Sequence, residues 1–427
     1  MISFVDILPS DIILTIIDGV ASMDDDASTN LKACSLTCKS FLQHCRKHIF
    51  HSITLDIIDG STCRLFRDLI ESAPWVPDYV RVLEVTPISH YYDMSDEEEA
   101  AFKKINNLHT LVIRPDSIFG LDWRMLPPTT LDVLIHLIQL PTIVNLKLMT
   151  FLTFNPAYLI PCTGLKRLCF RNSNLKYSEY DIHLPQNQDD SINAFSSGIF
   201  PPLLPDALDT DSFTALSLKT LIEPQKNHLN PIMDINMVKK IDFKFHPSAD
   251  AGSCMELFGY MKGLSIIHFK LSQPPHTSAI VPSIIASKSL DTLHTLRIYL
   301  EFQDHWVPQI CEVLKELAGQ SRITTLVLAS ILFPSDSGSE RLEDWTPIAD
   351  IFLSKGDWRY LRRLEINFHN TVWDHFDPGP EQIHFEDAVR RTYEVQLAKL
   401  SEISTFQYNL TITGGRWYED LGVSGVF

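Results

Sequence analysis

The sequence predicts an α/β fold: a short N-terminal helical module, then an irregular solenoid with parallel strands on its concave face and helices on its convex face. Three observations carry this. Apolar residues recur at helical spacing within the first fifty positions, a short apolar hexad returns twelve times from residue 50 onward, and the segments between hexads have helical period.

In the first helix, Ile12 to Ala21, a turn of 100° per residue gathers Ile12, Ile13, Leu14, Ile16, Ile17, Val20 and Ala21 on one arc of roughly 200°. Asp11, Thr15, Asp18 and Gly19 fill the remainder. One core needs a stripe only about half that wide. A segment this short encloses no large core by itself, so the spare apolar surface reads as a protein interface. A second helix places Leu31, Cys34, Cys38, Phe41, Leu42 and Cys45 on one stripe, with Lys32, Lys39, Gln43 and Arg46 away from it and Leu36 off the stripe. An Asp24-Asp25-Asp26 turn precedes it, with Thr29 or Asn30 placed to cap it. The alternative is a helical lid packed only on its own chain.

The order Leu8-Pro9-x-Asp11-Ile12-Ile13-x-x-Ile16-Ile17, a polar turn, then Leu31-x-x-Cys34-Ser35-Leu36-x-Cys38-Lys39-x-Phe41 resembles an F-box. That short helical module docks on a Skp-type adaptor in cullin-RING ubiquitin ligases. The resemblance covers residues 4–50, about one ninth of the chain, and departs from the family at Phe41, where Trp is frequent. It implies Leu8, Pro9, Ile12, Ile13, Ile16, Leu31, Cys34 and Phe41 as the adaptor surface and its immediate support. The implied partners are a Skp-type adaptor and, through it, a cullin.

Residues 51–413 carry the repeat: apolar, two others, apolar, one other, usually apolar. Its fourth positions are Ile53, Leu83, Leu111, Leu146, Leu168, Leu221, Ile241, Ile267, Leu296, Leu326, Leu364 and Phe406. Steps between them run from 20 to 42 residues, except 53 between Leu168 and Leu221. The copy at Leu221 is the poorest, because Glu223 takes an apolar place. Between copies, Phe66, Leu69 and Ile70 share a helical face, as do Leu257, Phe258 and Met261, and Ile310, Val313, Leu314 and Leu317. Strand then helix at this period is the leucine-rich-repeat pattern, in which neighbours stack to bury what one unit cannot. The units resemble the degenerate repeats that follow F-boxes in fungal families. The alternative is an α/β sheet of another winding, although twelve strands are many for one open sheet. Residues 172–212, rich in Pro, Asn, Asp and Ser, read as a long loop insertion that hides at most one irregular repeat. Asp96-Glu97-Glu98-Glu99 reads as a solvated helix start. Residues 414–427 read as a C-terminal cap.

A net charge of −17 argues against general nucleic-acid or anionic-membrane binding. No Lys or Arg occurs before residue 32 and Asp6, Asp11 and Asp18 interrupt the apolar run, which is unlike a signal peptide. The eight cysteines lack paired spacing, and no apolar run is long enough for a membrane span. The chain reads as intracellular, cytoplasmic or nuclear. Cys34, Cys38, His44, Cys45, His48 and His51 lie close in sequence. Cys38 and Cys45, however, sit about 10 Å apart along one predicted helix, too far for a shared zinc. No metal, cofactor or catalytic residue is expected, and Cys169 and His268 fall several repeats apart. The third, fifth and seventh hexad positions alternate away from the core. There Arg114, Lys147, Arg167, Arg171, Lys240, Lys244, Lys270, Arg297 and Arg363 outnumber Asp56, Glu84, Asp242 and Glu365. This suggests a face for an acidic or phosphorylated target segment. The expected function is the substrate-recognition subunit of an SCF-type ligase, which is not itself an enzyme. The alternative is a leucine-rich-repeat scaffold outside ubiquitin chemistry.

Overall fold

A computed structural model of the chain describes residues 9–23, 27–57, 60–87, 92–115, 120–173, 175, 201–215, 217–223, 231–245, 251–271, 274–300, 306–319, 322–332, 344–354, 358–371, 380–403 and 405–415. The chain divides into two compact units, Met1–Leu203 with Lys226–Ile232, and Leu204–Gln225 with Met233–Phe427.

The first unit opens with three helices where the sequence predicts two. In α1, Ser10–Ala21, the Pro9 carbonyl accepts the amides of Ile12 and Ile13 at 3.1 and 3.2 Å. The predicted second helix is broken into α2, Ala27–Ser35, and α3, Lys39–Ile49. The break has a local cause. Ser35 and Thr37 turn their hydroxyls back onto the carbonyls of Lys32 (2.6 Å) and Cys34 (2.7 Å), the competition that makes such residues poor in helix interiors. Cys38 is then extended, and its sulfur accepts the Phe41 amide at 3.5 Å as the cap of α3. Because α2 begins at Ala27, Thr29 and Asn30 lie inside it and do not cap it. The Asp24-Asp25-Asp26 turn lies outside the described residues.

Behind these helices runs a parallel ladder of β1 (Ser52–Ile57), β2 (Val82–Pro87), β3 (Thr110–Ile113), β5 (Asn145–Met149) and β7 (Arg167–Arg171). Short strands β4 (Leu121–Asp122) and β6 (Phe151–Thr153) form a separate parallel pair. The fourth hexad positions stand opposite one another: Ile53 with Leu83, Leu83 with Leu111, Leu111 with Leu146, Leu146 with Leu168. Helices α4 (Ser61–Ser72), α5 (Asp96–Phe102) and α6 (Pro128–Ile138) pack in sequence order, α4 on α5 and α5 on α6. Phe66 and Ile70 of the predicted α4 face are buried and Leu69 is half-buried. The acidic run before Leu108 is more than a solvated face. Glu98 is buried, taking the Tyr92 hydroxyl at 2.6 Å and the Ser95 amide at 2.8 Å while Ser95 caps α5 in return.

The second unit repeats the scheme with β8 (Ala207–Asp211), β9 (Lys240–Phe245), β10 (Ile266–Leu271), β11 (Thr295–Leu300), β12 (Thr325–Leu332), β13 (Arg363–Thr371) and β14 (Gln407–Gly415), all parallel. Ile241, Ile267, Leu296, Leu326 and Leu364 are again in register. Two predicted strands move. The hexad around Leu221 is a helical turn, Lys219–Ile222; its apolar residues three apart suit a helix as well as a hexad. The strand in register with Ile241 is β8, through Leu208, inside the stretch read as a loop. At the last copy Tyr408, two residues beyond the predicted Phe406, stands opposite Leu364. Gly414 and Gly415 extend β14 rather than starting a cap, and residues 416–427 lie outside the described ones. In the helix Trp306–Leu317, all four residues of the predicted face are buried.

The strands begin in a common way. One carbonyl two places before the fourth hexad position accepts two successive amides of the next strand. Examples are His51 to Arg81 and Val82, Arg81 to His109 and Thr110, Lys239 to Ser265 and Ile266, and His294 to Thr324 and Thr325. These bonds span 2.8–3.0 Å.

Candidate functional site

The three helices share a small core. Ile13, Ile17, Leu31 and Cys45 are buried, with Val20, Ala21, Cys34, Phe41 and Ile49 packed partly against them. Every residue of this cluster comes from α1, α2 or α3. Its outer side is apolar too. Ile12 and Ile16, one helical turn apart and so on one face, are 46% and 42% exposed. Pro9 is exposed at the start of α1, and Leu36, in the turn between α2 and α3, is 87% exposed. Of the predicted adaptor residues, Pro9, Ile12 and Ile16 therefore come to the surface. Ile13 and Leu31 lie in the core that supports them, and Cys34 and Phe41 are half-buried against it. Leu8 lies outside the described residues. His48 on α3 meets Asp18 on α1 at 2.9 Å and ties the two helices together. Burial raises the pKa of the Cys45 thiol, and Cys34 and Cys38 add to the rise. That is the behaviour of a small hydrophobe in a core rather than a reactive thiol.

The predicted target face divides between the units. In the first, Lys147 and Arg167 are exposed and Arg171 is half-buried. Arg114 is held by Glu84 at 2.8 Å. In the second, Lys240 meets Asp242 at 3.1 Å and Arg363 meets Glu365, so part of the predicted positive excess is neutralised by the chain's own carboxylates. Lys244 stands opposite Lys270, and the Lys270 ammonium lies 5.9 Å from the Tyr299 ring centre. Arg297 stands opposite His268, and its Nε is enclosed without a hydrogen-bond partner.

Register assembles a group that sequence reading left apart: Asp242, His268 and Arg297 occupy the same hexad position on successive strands. His268 Nδ1 bonds the Asp242 carboxylate. Burial dominates at His268 and lowers its pKa, against the Asp242 carboxylate, whose hydrogen bond and charge pull it the other way. Burial by itself would raise the Asp242 carboxyl. The hydrogen bond and positive charge of its neighbours outweigh this and bring it to about 2. The hexad alternation, read one strand further, is the signal that pairs them. Among the described residues no group of three or more His, Cys, Asp or Glu could hold a metal ion. None of the described helices is long and apolar enough to cross a membrane. Neither a family model nor a curated protein matches the chain.

Proposed function

We propose that the chain is a substrate-recognition subunit of an SCF-type ubiquitin ligase. Its N-terminal helices dock on a Skp-type adaptor and its strand–helix units, read as leucine-rich repeats of a solenoid, hold a target protein. The observation that carries this reading is the exposed Ile12–Ile16 pair on a helix whose other isoleucines fill its own core. It coincides with the residues on which the F-box resemblance rests. An isolated apolar pair on a surface is ordinary; this one lies on the helix that the resemblance assigns to the adaptor. The mechanism is proximity. Holding target and ligase on one chain raises the effective concentration of target lysines near the charged ubiquitin carrier. On the sheet, Lys147 and Arg167 present exposed charge to an acidic or phosphorylated target segment.

Co-purification with a Skp-type adaptor tests the reading. The full chain retains the adaptor, and Ile12→Asp with Ile16→Asp releases it while far-ultraviolet circular dichroism and the melting temperature stay unchanged. If that variant unfolds, Ile12→Ser with Ile16→Ser repeats the measurement at lower cost to the helix. A folded chain that never retains the adaptor, or retains it regardless of these changes, favours a repeat scaffold whose helices serve only as a lid.

A further inference from the structure

Arg297 on β11 is a cation that the sheet leaves without a counter-charge. The register names the side chains around it on that face. His268 and Val327 stand directly opposite on β10 and β12, and Thr295 and Tyr299 lie two places away on its own strand. Ile266, Lys270, Thr325 and Ala329 occupy the diagonal positions. None of these is a carboxylate. Other cations of the sheet are provided for: Arg114 by Glu84, Lys240 by Asp242 and Arg363 by Glu365. Lys244 stands opposite Asp211. Asp242, two strands from Arg297, is engaged through both oxygens, one with the His268 ring and the other with Lys240.

Burial makes this costly. Arg297 is half-buried, and its Nε is shut off from solvent with no acceptor among the described residues. An exposed cation such as Lys147 keeps its hydration, whereas an enclosed donor on a charged group, left without an acceptor, forfeits its water and gains nothing in return. The neighbours on β12 cannot supply one from their side chains at the nearest positions, since Val327 and Ala329 are apolar and themselves buried. An acceptor brought from outside the chain would satisfy the Nε and balance the charge together.

We propose that Arg297 holds one carboxylate of a bound peptide, taking it side-on through Nε and a neighbouring Nη. The count of charges selects this anion. One guanidinium lacks a counter-ion, and a carboxylate brings a single charge on a planar pair of oxygens that matches the guanidinium fork. A phosphoryl group brings close to two charges. The diagonal cation that could meet the second, Lys270, lies 5.9 Å from the centre of the Tyr299 ring and is turned to it. The assignment rests on the reading of this sheet face as the target-binding surface, and it uses none of the α1 residues.

The test labels the arginines of the full chain with nitrogen-15 and follows their Nε–H signals by nuclear magnetic resonance as acetate is added at neutral pH and constant ionic strength. The Arg297 signal, assigned by its loss in Arg297→Lys, shifts saturably, while that of Arg363, whose guanidinium already meets Glu365, stays in place. Inorganic phosphate at equal concentration gives the smaller shift. N-acetylalanine and N-acetylglutamate amide separate the sources: a shift with the first alone assigns the site to a peptide C-terminus, with the second alone to an acidic side chain, and with both to either. Should Arg297→Lys misfold, phenylglyoxal mapping of the unaltered chain gives the same answer: acetate slows modification of Arg297 and not of Arg322. No saturable shift or shielding, an equal response at Arg363 or Arg322, or a larger response to phosphate overturns the proposal. Adaptor co-purification depends on Ile12 and Ile16 and is unaffected by Arg297→Lys, so the two readings fail separately.

Discussion

Helix α1 and the strands of the second unit treat their apolar residues differently. In β9 and β11 polarity and burial agree: Ile241, Phe243, Ile298 and Leu300 are buried, while Lys240, Lys244 and Tyr299 between them are half-buried. In α1 four isoleucines of one chemistry meet two fates. Ile13 and Ile17 are 3% and 0% exposed, Ile12 and Ile16 are 46% and 42%. A strand sorts its side chains by alternation, so composition tells where each one goes. A helix with apolar residues over half its circumference does not, and the surplus marks where something beyond its own core is expected.

The contrast can be broken first at α1. Ile17→Ala removes a fully buried side chain and should cost about 2–5 kcal/mol, whereas Ile16→Ala should cost about 0.5 kcal/mol or less, as surface changes do. Thermal melts of the two variants measure it, and equal losses would mean that the isoleucines are equivalent. The strands offer two exceptions to their own rule, and each sharpens it. Asp242 faces away from the core yet is half-buried, with its carboxyl at about 2 against an ordinary 3.8. Depression of a folded-state pKa means stability that is present above the unfolded value and lost as pH falls through the folded one. The wild type should therefore exceed Asp242→Asn by about 2 kcal/mol at neutral pH, and the gap should close between about pH 4 and pH 2. Denaturant titrations across that range measure it; a gap independent of pH would dissociate the stability from the charge. The smallest effect concerns Thr210. It occupies the inward sixth position of β8, opposite Phe243, fully buried and with its hydroxyl unpartnered. Thr210→Val keeps the shape, removes the unsatisfied group and should stabilise by about 1 kcal/mol, read as a raised melting temperature.

The ladder was legible because alternation is local and its marker is apolar: Leu83, Leu146, Leu296 and Leu364 could be named from spacing alone. Where it failed, the reason is specific. In β8 only Leu208 has the expected polarity, since Asp209, Thr210 and Asp211 follow it. Around Leu221 two leucines three apart fit strand and helix alike. At the C-terminal strand the two-residue slip from Phe406 to Tyr408 leaves every side chain on the same face, so no pattern reveals it. The α2–α3 break escaped for a related reason: Cys34, Cys38 and Phe41 keep helical spacing through a turn made by the hydroxyls of Ser35 and Thr37. As for the candidate sites, the width of the α1 arc announced spare apolar surface, but choosing Ile12 and Ile16 over Ile13 and Ile17 required knowing where α2 and α3 lie. Charges behaved likewise. Arg114 with Glu84 and His268 with Asp242 are pairs between neighbouring strands, visible only once the register is known.

The carbonyl that takes two amides at most of the strand starts has a further meaning. It pins the alignment of neighbouring rungs at a single point, upstream of the helices that connect them. A chain fastened there can gain or lose residues in its connectors, which already differ widely in length, without misaligning the rungs that follow. Adding one residue within a rung would instead swap inside for outside along the rest of it. Variety in such a molecule accumulates in the links, while the starts of the rungs keep their alignment.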